Sequence, residues 1–170
     1  MVIRYKYMAI ATIVIILGAV AAWWFFPREN DETQIRTLLN DITANISKKP
    51  TDGTSGNILK SNALPRYFVD PCEVSVGVSM ISGTFSEHHI VNNSMRIRTM
   101  FKTISAQIDN ISIYFDAERE FADVEFGAIF NGIANSGERV HGVRDLRCRV
   151  VKDDGKWKIQ TVNIRQVLEK

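Results

Sequence analysis

The stretch that decides the fold is LRCRVVKDDGKWKI, residues 146–159. Leucine, cysteine and valine alternate there with two arginines, which is the period-two pattern of a strand with one buried face. Asp153-Asp154-Gly155 then supplies the residues that a tight hairpin turn needs. The chain returns in a second strand, Lys156–Val167. The stretch therefore predicts two antiparallel strands joined by a short turn.

Further strands are predicted, and the first strand of the hairpin extends back to Glu138. Alternating patterns predict Ser105–Phe115, Glu120–Ile133 and Glu138–Val151, and a shorter strand runs from Cys72 to Val78. In the predicted strand Glu120–Ile133, alternate side chains are apolar, and we expect them to face the core: Ala122, Val124, Phe126, Ala128 and Phe130. The last four strands follow one another closely, so we expect an antiparallel meander.

Three helices are predicted before the meander. The first begins at Asp31 and ends near Lys49, the second covers Asn57–Ala63, and the third runs from Ser86 to about Lys102. Apolar spacing in the third helix places Ile90, Ile97 and Phe101 on its inner face. Between the short strand and the third helix, Ser82-Gly83-Thr84 has the composition of a turn.

The N-terminus carries an uncharged apolar run, residues 8–26, after a short cytoplasmic segment, residues 1–7. As a helix this run spans about 28 Å, close to the hydrocarbon thickness of a bilayer. Arg4 and Lys6 precede it, so the positive-inside rule predicts a cytoplasmic N-terminus and a periplasmic or other extracytoplasmic domain. We therefore expect a single-pass anchor in a bacterial inner membrane, a linker at residues 27–30, and a domain at residues 31–170. A signal peptide cleaved after Ala21 is the alternative.

The charge of the exported part argues against nucleic acid as a partner. Of the 21 basic residues, Arg4 and Lys6 lie before residue 27, and those that follow equal the 19 acidic residues in number. A neutral domain has no long-range field that would gather a phosphate polyanion.

The order of elements resembles the nuclear transport factor two-like (SnoaL-like) cone, an α+β fold in which a curved antiparallel sheet wraps around helices. Three motifs carry the resemblance, which covers about residues 31 to 168: Arg66-Tyr67-Phe68-Val69-Asp70 before a strand, the turn Ser82-Gly83-Thr84, and the closing hairpin Lys152–Ile159 with Trp157. The resemblance implies a pocket at the open end of the cone. The fold hosts both enzymes and proteins without activity, so it does not decide function.

Matching the isomerases of this family places their catalytic base at about Val76 and their catalytic acid at about Arg144. Neither residue is a carboxylate, so we expect no isomerase chemistry and assign no catalytic residue. Arg144 shares strand parity with the inward residues, which predicts that it lines the pocket and binds an acidic ligand. The alternatives are that a bulge near Gly142 turns it to solvent, or that it pairs with Asp145 or Asp123 nearby. Tyr67, Asp70 and His88 are the other candidate ligand-binding residues.

Cysteine and histidine usage gives two further expectations. Cys72 and Cys148 both fall in the exported domain, where a disulfide is allowed, but two buried free thiols explain their apolar neighbours equally well. His88 and His89 diverge on a helix and His141 lies far along the chain, so no metal site is predicted. We expect no cofactor.

Two functions remain open from the sequence. The first is a non-catalytic binding domain that recognises an envelope protein or a small acidic ligand in the cone pocket. The second is a small-molecule lyase or hydrolase that uses the same pocket, with a histidine and Asp70 as an acid–base pair. Phe121 and Ile129 lie on the outer face of the sheet and predict a homodimer through that face.

Overall fold

The computed structural model describes residues 30–76 and 81–165. The helices are α1 (Asp31–Ile46), α2 (Thr54–Ala63) and α3 (Glu87–Met100), with a 3-10 turn at Pro65–Tyr67. The strands are β1 (Phe68–Val76), β2 (Ile81–Phe85), β3 (Phe101–Phe115), β4 (Phe121–Ala134), β5 (Arg139–Asp153) and β6 (Lys156–Arg165). Within these residues no helix has the length and apolar character to cross a membrane. The predicted anchor, residues 8–26, lies outside the described part of the chain.

The six strands form one sheet in the order β2-β1-β6-β5-β4-β3. The antiparallel meander predicted from the sequence is confirmed as β3 to β6. The prediction of a wholly antiparallel sheet is wrong, because β1 lies parallel to β6, with Val74 opposite Val162. These strands are neighbours in the sheet but lie far apart in the sequence, and alternation along one strand carries no information on the direction of the strand beside it.

The predicted turn at Ser82-Gly83-Thr84 is also wrong. These residues belong to β2, which pairs antiparallel with β1 and sets Gly83 opposite Val74. Small polar residues favour turns, but ladder hydrogen bonds to β1 decide the conformation here.

The core lies between α1 and the facing side of the sheet. Ile35, Leu38, Leu39 and Ile42 recur at helical spacing on α1 and are all buried. They pack in one cluster with Val124 and Val150 of the sheet. Burying each large apolar side chain stabilises the fold by about 1.5–3 kcal/mol, so this seam provides much of the stability.

The closing hairpin forms as predicted. Asp153 pairs with Lys156, and the two residues between them, Asp154 and Gly155, have positive φ angles of 50° and 73°. That conformation matches the twist of two-residue hairpins and favours Asp-Gly. Trp157 is then buried, with its ring edge-on to Phe115 at 5.9 Å between centroids.

Register shifts bend the sheet around the helices. One lies in β3 between Asp109 and Ser112, where Asn110 adopts a φ of 51°. Another lies between Arg149 and Val150 in the pairing of β5 with β6. Extra residues at such positions increase the local twist and bend the strand. The result is a curved mixed sheet with α1 on its inner side.

Candidate functional site

Arg144 does not occupy a described pocket. It is exposed, and its Nη1 donates to the carbonyl oxygen of the neighbouring Val143 at 2.7 Å. The register between β4 and β5 runs without a shift from Phe121 to Ile133, so no bulge near Gly142 turns it. Arg144 lies opposite Ala128, on the core side of the sheet, at a point where that side is open to solvent.

The other three candidate residues are used in local contacts. The Tyr67 ring is buried, and its hydroxyl accepts hydrogen bonds from Arg66 and from Asn45. Asp70 is exposed and accepts from the Glu87 N–H at 3.2 Å, which satisfies a free donor at the start of α3. His88 is exposed and bonds Asn92 at 2.8 Å.

These contacts do not form the predicted acid–base pair. Asp70 approaches α3 one residue before His88, but both side chains face water and bond other groups. His89 is exposed as well and bonds Ser86 at 3.3 Å. Val76, at the position of the family's base, is an apolar residue that is partly open to solvent.

Both cysteines are free thiols buried in the core, so the disulfide is not formed. Burial raises the pKa of Cys72 to about 11, with the charge of Glu73 adding to the effect. Burial likewise raises the pKa of Cys148 to about 12. Since the thiolate is the reactive form, both side chains are inert at neutral pH.

Arg98 of α3, which no sequence pattern singled out, has a residue surface that is 1% exposed. Its Nη1 donates to the carbonyl oxygens of Asn45, Ile46 and Ser47, which lie at the C-terminal end of α1. Its Nε donates to Asn57 Oδ1 of α2 at 3.2 Å. A cation at this end of a helix satisfies orphan carbonyls and complements the helix dipole. One guanidinium thus joins all three helices.

Asp52 supplies the countercharge. Its Oδ2 lies 3.3 Å from Arg98 Nη2 and 2.7 Å from Lys60 Nζ. The hydrogen bond from Lys60 holds the pKa of Asp52 below its ordinary value, and the N–H of Lys49 and the Arg98 charge act in the same direction. We call Arg98, Asp52, Asn57 and Lys60 the Arg98 cluster.

The chain after α1 is held against the edge strand β3. Lys48 and Ile104 exchange two backbone hydrogen bonds of 2.8 and 3.0 Å. Ser47 Oγ accepts from the Ala106 N–H at 3.1 Å. Lys48 Nζ donates to the carbonyls of Arg98 and Phe101, at the end of α3. These bonds hold Ser47 and Lys48 against β3 and the end of α3, and we call residues 47–50 the wall.

This wall borders a groove of about 650 Å³, which we call the outer groove. Its lining consists of Ser47, Lys48, Lys49, Pro50, Thr103, Ile104, Ser105, Asn131, Gly132, Ile133, Arg139, Val140 and His141. The cross-strand rows Thr103–Ile133–Arg139 and Ser105–Asn131–His141 form its floor. By alternation along β4 these rows lie on the side of the sheet opposite the core.

The outer groove is cationic. Lys48, Lys49, Arg139 and His141 line it, and none of its described lining residues is Asp or Glu. His141 Nδ1 lies 2.7 Å from Asn131 Oδ1. Because an amide oxygen only accepts, His141 donates from Nδ1, and in the neutral ring Nε2 is then an acceptor. The lysine and arginine charges of the lining suit recognition of an anion.

A second groove, of about 450 Å³, is different in charge. Strands β1, β2 and β6 form it, and Glu73 is its charged residue among hydroxyl, amide and small side chains. Here we call it the β1–β6 groove. Its lining offers no cation within the described residues, so charge distinguishes the two grooves.

The two residues predicted to mediate dimerisation, Phe121 and Ile129, are partly covered by neighbouring side chains of the same chain. Phe121 is half-buried, and the Arg149 guanidinium lies 4.8 Å above its ring centroid. Ile129 is also half-buried and lies opposite Val143, whose residue surface is 41% exposed. The homodimer stays a prediction.

Comparison with solved structures shows the fold. A putative scytalone dehydratase from Novosphingobium aromaticivorans is similar, with 23% identity, a TM-score of 0.64, and coverage of 81% of this chain and 85% of that one. A putative aromatic ring hydroxylase from the same organism has 12% identity, a TM-score of 0.66, and coverage of 82% and 90%. An NTF2-like protein with a cystatin-like fold, again from N. aromaticivorans, has 12% identity, a TM-score of 0.61, and coverage of 91% and 90%.

The described domain therefore has the cystatin-like NTF2 fold, as the resemblance implied. Neither a protein-family model nor the sequence of a curated protein matches the chain. At these identities the likeness establishes architecture and leaves the chemistry of the site to the residues themselves.

Proposed function

We propose that this chain is a non-catalytic binding domain, tethered by residues 8–26 to the outer side of a bacterial inner membrane. Its role is to recognise an acidic group of an envelope protein or small molecule. The observation that carries the proposal is the outer groove, which two lysines and Arg139 line and whose described lining contains no Asp or Glu.

The roles of the buried polar side chains support a binding function rather than catalysis. Among the described residues, the buried polar side chains are Ser61 and Arg98. Ser61 Oγ bonds Ser94 Oγ at 3.0 Å between α2 and α3, and Arg98 joins the helices. Both groups serve the fold. A lyase needs an acid or base poised inside the pocket, and Asp70 and His88 lie at the surface instead.

Site-directed photo-crosslinking tests the binding function. A photoreactive residue at Pro50, exposed on the groove wall, should give a defined adduct in the native membrane and leaves the groove cations in place. The same residue at Gln160, exposed on β6, is the control and should give none. Equal yields from both positions, or no adduct from position 50, would contradict the proposal.

Cysteine labelling tests the membrane orientation. Lys49→Cys should react with a membrane-impermeant maleimide in spheroplasts with an intact inner membrane. The parent chain should stay unlabelled, because its two cysteines are each 1% exposed. Labelling of Lys49→Cys only after lysis would place the domain in the cytoplasm instead.

A further inference from the structure

The free charge of the outer groove contrasts with the arginines elsewhere on the same side of the sheet. Arg147 and Arg149 both bond Asp123, at 3.1 and 3.0 Å. By contrast, Lys49 and Arg139 are exposed and form no ion pair within the described residues. Both residues line the outer groove, whose described lining contains no carboxylate. Their charges are therefore available to the carboxylate of a ligand.

The groove also offers apolar surface beside that charge. Ile133 lies between Thr103 and Arg139 in the cross-strand row, and its residue surface is 37% exposed. Pro50 adds apolar lining. A ligand that used the whole groove would therefore combine an anionic head with an apolar body.

The size and rigidity of the groove limit the ligand further. Its volume of about 650 Å³ falls in the range of small-molecule sites, roughly 300–1,000 Å³. The wall is already ordered by the Lys48–Ile104 backbone bonds and by Ser47 Oγ. A preformed wall reduces the entropy lost on binding, which favours a small ligand over a segment that must fold on contact.

We propose that the outer groove binds a small organic carboxylate with an apolar body, and this inference rests on the binding function proposed above. Arg139 and Lys49 hold the carboxylate, and the hydroxyls of Thr103 and Ser105 lie in the same lining as further donors. The apolar body lies against Ile133. A bare phosphate ion would leave that apolar surface in water.

The test is a titration of the full chain in detergent micelles with four probes: 4-phenylbutyrate, its neutral amide, inorganic phosphate and tetraglutamate. Isothermal titration calorimetry gives each affinity. We expect 4-phenylbutyrate to bind about ten-fold or more tightly than each of the others. The amide loses a charge-assisted contact, whereas phosphate and tetraglutamate lose the apolar contact with Ile133.

Variants connect the affinity to the groove. Lys49→Gln and Arg139→Gln should each weaken binding of 4-phenylbutyrate about ten-fold. Arg149→Gln is the matched control, since it removes an exposed guanidinium from the same side of the sheet and should leave the affinity unchanged.

Several outcomes would overturn the inference. Equal binding of the amide, equal binding of phosphate, retained affinity in both groove variants, or no binding at millimolar probe would each do so. Preferential binding of tetraglutamate would replace the small ligand by an acidic protein segment. The binding function itself is judged separately, by the adduct at position 50, so it survives any of these results if that adduct forms.

Discussion

The Arg98 cluster and the outer groove share the segment that follows α1, yet their positive charges have opposite fates. Arg98 is buried, donates to the carbonyls of the last two residues of α1 and of Ser47, which follows them, and faces Asp52. Lys49 and Arg139 are exposed and lack such a partner among the described residues. In the Arg98 cluster the positive charge makes contacts within the fold. In the outer groove the positive charge is available to a ligand.

This difference explains how a cationic groove can be stable. Bringing cations together is unfavourable unless other contacts hold the backbone. Here the Arg98 cluster and the Lys48–Ile104 bonds fix the wall independently of what the groove binds. Predictions that separate the two regions therefore compare stability with affinity.

The largest effect is expected for Arg98→Met. The change leaves the carbonyls at the end of α1 without their donor and removes a countercharge of Asp52. We expect a loss of about 3–5 kcal/mol in the free energy of unfolding, as for the breaking of other buried pairs. Urea denaturation of the full chain in micelles measures it.

Arg144→Met is the matched control for that variant. Arg144 is exposed and bonds only the carbonyl of Val143 among the hydrogen bonds described for its side chain. The expected change is within about 0.5 kcal/mol. Similar losses in both variants would show that the Arg98 cluster has no special role.

The sequence predicted the meander and its hairpin because both depend on local pattern. Alternation fixed the inward residues of β4, and Asp-Gly fixed the turn. The parallel pairing of β1 with β6 depends on residues far apart in the chain. The composition around Gly83 is typical of a turn, so the sequence did not predict β2. Neither feature leaves a periodic signal.

The site was harder to predict than the fold. On α3 the apolar spacing favoured Ile97 as an inward residue, but its residue surface is 47% exposed and the adjacent Arg98 is buried. Ile90, Ser94 and Arg98 lie on one helical stripe, and this spacing was the available signal. The outer groove joins residues of a loop and three strands, so only tertiary structure assembles it.

Asp52→Asn should show a smaller, pH-dependent effect. Contacts with Lys60 and Arg98 hold the pKa of Asp52 below its ordinary 3.8 in the folded state. A depressed folded pKa stabilises the protein above the unfolded value, and this stabilisation is lost as pH falls below about 4. We expect Asp52→Asn to cost about 2 kcal/mol at pH 7, with the difference from the parent shrinking as pH approaches 2.

Asp123→Asn controls for acid effects in general. Arg149 and Arg147 lower the pKa of Asp123 in the same direction, but both arginines are largely exposed. Its cost at pH 7 should be below about 1 kcal/mol, because exposed ion pairs contribute little. A larger pH dependence for Asp123→Asn than for Asp52→Asn would contradict the importance of the Arg98 cluster.

Ser47→Ala tests the wall itself. The variant removes the acceptor of the Ala106 N–H and leaves the Lys48–Ile104 bonds in place. The expected loss is about 1 kcal/mol in unfolding free energy, the value of one hydrogen bond. Hydrogen exchange should show faster exchange at Ala106 while the amide of Ile104 stays protected, and unchanged exchange at Ala106 would argue against this contact.

The smallest effect on stability is expected for Lys49→Gln and Arg139→Gln. These are the variants that should lower the affinity for the ligand most. Both side chains are exposed and take part in no described ion pair, so removing their charge breaks no contact that the fold uses. It also relieves repulsion among the groove cations, so the free energy of unfolding should stay within about 0.5 kcal/mol of the parent or rise slightly. Urea denaturation checks this, with Arg98→Met as the opposite extreme. A loss above about 1 kcal/mol in either variant would mean that the groove charge stabilises the fold, and the distinction between the two regions would fail.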